Sequence, residues 1–124
     1  MEFSTKQKNE LLTGVILAQE LEPIIEDTRR FITIRSFRKD KSGELSLWNK
    51  TIPSHDMLNE AVFNLAVYSV RLEDMEYDLD ESMLPEYRLI KGIDSFEKLY
   101  SELAQYMGDV SGLLPHWHCD NPLE

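Results

Sequence analysis

The chain has 124 residues, 42% of them apolar, enough to fill one core; a single domain over 1–124 is expected and wholesale disorder is excluded. With 13 Lys+Arg against 23 Asp+Glu the net charge is −10, which argues against general nucleic-acid binding because phosphate repels an acidic surface. The lone cysteine, Cys119, rules out an intramolecular disulfide scaffold.

Charge is unevenly placed along the chain. Residues 1–52 sum to +1 and residues 53–124 to −11. Arg29, Arg30, Arg35, Arg38, Lys39 and Lys41 cluster in the first part. Glu73, Asp74, Glu76, Asp78, Asp80, Glu81 and Glu86 run through the second with no base among them. Such an asymmetry bears on partners more than on fold.

Residues 5–22 read as a helix. Leu11, Leu12, Val15, Ile16, Ala18 and Leu21 fall at three- and four-residue steps, Ser4 or Thr5 suits the cap, and Pro23 ends or kinks it. Residues 31–38 are rich in β-branched and aromatic types, 41–44 carry a turn signal, and 45–49 alternate again; together they read as a β-hairpin. Two strands alone are marginal in water, so the hairpin must pack on helices or gain a further strand.

Ser54 and Asp56 suit the start of a second helix. Leu58, Ala61, Leu65, Tyr68, Leu72, Met75 and Leu79 then keep a three-four spacing, which predicts one long helix over about 55–82, closed by Pro85. Residues 86–93 form a connector with an extended stretch at 87–90. A third helix starts at Asp94, with Glu97 at capping-box spacing, a buried face of Phe96, Leu99, Tyr100, Leu103, Tyr106 and Met107, and Gly108 as its stop. The fold class expected is mainly α or α+β: a three-helix core with one inserted β-hairpin.

No glycine-rich phosphate loop, zinc-protease His pair or redox Cys pair occurs. Ser54-His55-Asp56 holds triad residue types, but neighbours at a helix start diverge, so a cap explains them. His116, His118 and Cys119 are metal-ligand types within four residues, without a second Cys/His pair at zinc-site spacing. The run 74–80 lacks the glycine and the distal glutamate of a calcium loop. No enzyme activity, metal or cofactor is expected. No apolar run exceeds four residues, as at Val15-Ile16-Leu17-Ala18, and the N-terminus opens polar, so no membrane association is expected and a cytoplasmic location is.

In its size, its acidity, its lack of catalytic motifs and its acidic stretch at 73–81, the chain resembles the small acidic immunity proteins that bacteria pair with secreted toxins, including those of contact-dependent growth inhibition. That resemblance implies a protein–protein inhibitor that neutralises a basic, typically nuclease, toxin domain by stoichiometric binding. It implies a partner-binding face at Glu73, Asp74, Glu76, Asp78, Asp80 and Glu81, with Tyr77 and Tyr87 as aromatic anchors. Two other readings stay open. One is a helical adaptor or assembly subunit that self-associates. The other is a small metal protein or enzyme centred on His116, His118 and Cys119. Monomer and homodimer are both compatible with the sequence.

Overall fold

The computed structural model describes residues 2–39, 45–46, 61–75 and 81–119. It is built on a six-stranded, antiparallel sheet and not on three helices. The elements run α1 (Thr5–Leu12), β1 (Leu17–Leu21), β2 (Thr28–Lys39), β3 (Leu45–Ser46), β4 (Ala61–Arg71), β5 (Glu86–Ile93), α2 (Phe96–Leu103) and β6 (Leu114–Pro115). Short 3-10 turns occupy Leu72–Asp74, Glu81–Met83 and His116–His118. The sheet order is β5-β4-β2-β1-β6, with β3 paired to the far end of β2.

The expected helix over 5–22 is half helix and half strand. Ser4 caps α1: the Gln7 amide donates to Ser4 Oγ (3.1 Å) and the Ser4 amide to Gln7 Oε1 (2.9 Å), a reciprocal box that satisfies two end donors. The helix stops at Leu12 because Gly14 turns the backbone into the left-handed region at φ 92°. The apolar residues beyond it alternate as a strand does, with Leu17 and Ala18 buried on opposite faces of β1.

The long helix over 55–82 is the larger correction. Residues 61–71 form β4, a central strand flanked by β2 and β5. Phe63, Leu65 and Val67 bury themselves on one face of the sheet and Val62, Tyr68 and Val70 on the other. A strand buried on both faces is apolar almost continuously, and a continuous run contains three-four spacing by accident. The β-branched valines and the two aromatics favour the extended form. Residues 54–56, the expected cap, lie outside the described residues, as do 41–44, the expected hairpin turn. The hairpin itself is present in part, since Arg38 and Lys39 pair with Ser46 and Leu45, but as one corner of the larger sheet.

The connector at 86–93 is β5. Its register on β4 slips between Phe63 and Leu65, where Gly92 takes φ 73° and its amide donates to Asn64 Oδ1 (3.3 Å). The third helix is α2. Its cap is Ser95, whose Oγ accepts from the Lys98 amide (3.1 Å); Asp94 instead takes the Lys98 ammonium at 2.7 Å. The helix ends at Leu103, before Gly108, and buries Leu99 and Leu103 on the sheet.

The main core fills one face. Leu17, Ile32, Ile34, Phe63, Leu65 and Val67 from the sheet meet Leu11 and Leu12 of α1, Leu99 and Leu103 of α2, and Val110 and Leu113 of the following segment. The buried Gln7 carboxamide ties α1 to that segment, donating to the Val110 and Leu113 carbonyls at 2.7 and 3.0 Å. A smaller cluster on the other face joins Phe31, Tyr68 and Val70 to Met75, Leu84, Tyr87 and Cys119. No helix among the described residues is long and apolar enough to cross a membrane.

Candidate functional site

The register lines residues up in rows across the sheet. On the helix-covered face the first row is Leu17, Ile34, Leu65 and Ile90. The next is Gln19, Ile32, Val67 and Arg88, and the third is Leu21, Arg30, Ser69 and Glu86. Within about 13 Å of strand, the face therefore changes from wholly apolar to charged and hydrogen-bonding. That charged end is where the β1–β2 and β4–β5 connections converge.

Its floor is a network. The Arg30 guanidinium donates twice to the Glu86 carboxylate, both at 2.9 Å, and Ser69 Oγ donates to the same carboxylate at 2.8 Å. Partial burial alone would raise the Glu86 carboxyl; the Arg30 and Ser69 hydrogen bonds and the Arg30 charge outweigh it and hold the group below its usual range. The Arg30 guanidinium lies 5.6 Å from the centre of the Tyr106 ring, and that of Arg88 6.0 Å from it. On the opposite face Arg29 makes a two-pronged pair with Glu20 at 2.9 and 2.6 Å.

Two connections rise above this floor. In the β1–β2 turn Asp27 takes φ 60°, Thr28 Oγ1 donates to the Ile25 carbonyl (2.6 Å), and the Asp27 carbonyl accepts the Leu72 amide (3.0 Å), which joins the turn to the chain leaving β4. The joined segments hold four exposed apolar side chains, Ile24 (64% exposed), Ile25, Leu72 (53%) and Met83. Ile25, Leu72 and Pro85 line a hollow of about 470 Å³ whose rim carries Glu26, Asp27 and Glu73. Arg71 is directed to the Met83 carbonyl (3.2 Å) and to Asp74 (3.9 Å). A second hollow, of about 680 Å³, lies across the turn, between Ile24, Arg30 and Tyr106.

Glu73 and Asp74 of the expected acidic face sit at this end of the sheet, Glu73 exposed and Asp74 half-buried beside Arg71. They lie on a 3-10 turn and not on a long helix. Glu76, Tyr77, Asp78 and Asp80 lie outside the described residues; Glu81 begins the next 3-10 turn. Tyr87 stands in β5 opposite Tyr68, half-buried in the smaller cluster. Among the described residues, Arg29 and Arg30 at the start of β2 are matched by Glu20 and Glu86. Glu22, Glu26, Asp27 and Glu73 have no ion-pair partner among the described residues.

The C-terminal cluster does not assemble as a ligand set. His116–His118 is a 3-10 turn, so the two imidazoles do not share a side as they would in an extended strand, and Trp117 between them is 63% exposed. No group of three or more His, Cys, Asp or Glu among the described residues is placed to hold a metal ion. Sequence reasoning missed Ile24, Ile25, Arg30 and Tyr106. Only the exposed pair Ile24-Ile25 between Pro23 and two acids carries a local signal, apolar residues in a turn.

Compared with known proteins, the chain matches no family model, no curated protein and no solved structure.

Proposed function

We propose that the chain is a stoichiometric protein inhibitor of the immunity-protein kind, which docks the charged end of its sheet on a basic toxin domain in the bacterial cytoplasm. The observation that carries this reading is the hollow of Ile25, Leu72 and Pro85 rimmed by Glu26, Asp27 and Glu73. Exposed apolar side chains at the centre of a polar rim are the anatomy of a binding patch. Among the described residues Glu26, Asp27 and Glu73 make no ion pair, and the Arg71 that lines the same hollow is directed to Asp74 and the Met83 carbonyl, so a basic surface answers them.

A nuclease toxin fits this charge logic, because a surface that attracts phosphate also attracts a row of carboxylates. The inhibitor needs no cofactor, metal or nucleic acid for that task. Its affinity comes from the apolar centre and its association rate from the rim.

The test is co-expression with a basic toxin domain encoded beside this chain. The reading expects a one-to-one complex on size exclusion and loss of the toxin's nuclease activity. A Glu26→Lys/Glu73→Lys variant should associate more slowly at low salt. A toxin domain that stays active and unbound removes the reading. A stable homodimer that buries Ile25 and Leu72 favours the assembly-subunit alternative.

A further inference from the structure

We propose that the outer edge of β5 takes an extended acidic segment of a partner protein as a further strand. This edge is separate from the hollow at Ile25 and Leu72, and its occupation does not depend on the inhibitor reading.

β5 stands at one end of the sheet and pairs on one side only, with β4. In such a strand alternate backbone N–H and C=O groups point outward, where another extended chain can meet them. Residues 86–90 keep a regular register on β4 before the slip beside Gly92, so they form a straight edge. The other end of the sheet offers far less: β6 has two residues, and one of them, Pro115, has no N–H. Arg88, Leu89, Lys91 and Gly92 are exposed, so the edge is open.

The side chains define the occupant. Arg88 and Ile90 lie on the helix-covered face of the sheet, and Tyr87 and Leu89 on the other. Arg88 and Lys91 make no ion pair among the described residues, and the one acid of the strand, Glu86, is engaged by Arg30. The edge is therefore basic. Leu89, 38% exposed, adds an apolar site. A strand laid on this edge sets its own side chains beside these on each face, so acids belong next to Arg88 and apolar residues next to Leu89. Acid and apolar in alternation is the period of a strand. A second copy of the chain does not fit, because pairing through 86–90 sets Arg88 directly opposite the same arginine of the other copy. A basic edge thus repels its own kind and selects an acidic strand.

The probe is a seven-residue capped peptide alternating aspartate with valine, titrated into the isotopically labelled full chain and followed by amide NMR shifts and hydrogen exchange. Two comparisons are the same peptide with lysine for aspartate, and the aspartate peptide N-methylated at alternate amides, which keeps the charge and loses the backbone donors. The expected result is saturable shifts centred on residues 86–92, slowed exchange at alternate amides of β5, a weaker lysine peptide and a silent N-methylated one. Arg88→Glu/Lys91→Glu, both on the surface, should weaken the aspartate peptide about tenfold and strengthen the lysine peptide. An N-methylated peptide that binds like its parent would overturn the proposal, as would shifts centred away from β5 or no binding at all. Self-association of the free chain that protects β5 would also overturn it, in favour of a second copy.

Discussion

Arg30 and Glu86 stand 56 residues apart in the chain and meet through two 2.9 Å hydrogen bonds. Between them on the sheet lies Ser69, whose hydroxyl donates to the same carboxylate. The pair fixes the relative positions of β2, β4 and β5 at the end where the apolar rows run out. It also matches the charge of Arg30 there.

Glu86 makes the fold acid-sensitive. Its carboxyl lies below the ordinary 4.5 in the folded chain, so its contribution is fully present above that pH and is lost as pH falls through the lower folded value. Glu86→Gln should destabilise at pH 7 by about 1.5–3 kcal/mol, the cost of breaking a part-buried charged hydrogen-bond pair. Urea unfolding at pH 7 and at pH 3 checks this: the gap between wild type and variant should narrow at the lower pH.

Gly92 is needed for its backbone. At φ 73° an L side chain is strained although nothing lies within 4 Å of an added Cβ. Gly92→Ala should cost about 1–2 kcal/mol, and Gly92→Asn less, because asparagine tolerates the left-handed region. Thermal unfolding of the two variants ranks them.

Leu99 and Leu72 separate stability from binding. Leu99 is fully buried between α2, which carries it, and the sheet, and Leu99→Ala should cost about 2–5 kcal/mol by leaving a cavity. Leu72 is 53% exposed, and Leu72→Ala should change stability by less than about 0.5 kcal/mol. The same Leu72 variant should weaken the toxin complex about tenfold, or 1.4 kcal/mol, by calorimetric titration.

Part of this fold was legible in the residues. β2 announced itself through β-branched and aromatic types, and α2 through the period that buries Leu99 and Leu103. β1 and β4 look helical in the sequence because apolar runs that serve two faces carry no single period, and only pairing partners far along the chain decide between the two forms. The acidic run was visible, but the placement of Glu73 and Asp74 on a short turn, with Glu73 on the same hollow as Ile25, was not. Nor was the Arg30–Glu86 pair, whose meeting depends on the register of three strands. The site was legible as a sign of charge and not as a shape.

Charge reversal at the rim should act on rate. Glu26→Lys and Glu73→Lys together should lower the association rate at low salt and flatten its salt dependence, with unfolding nearly unchanged because both residues are exposed. Stopped-flow association at several salt concentrations measures it.

The central claim is that the charged end of the sheet is the docking face. Hydrogen exchange of the chain alone and with the toxin domain tests it most directly. The account predicts new protection at amides of 24–28 and 71–75, with β5 and α2 unchanged. Protection confined to β5 or α2, with 24–28 and 71–75 exchanging as in the free chain, would contradict it.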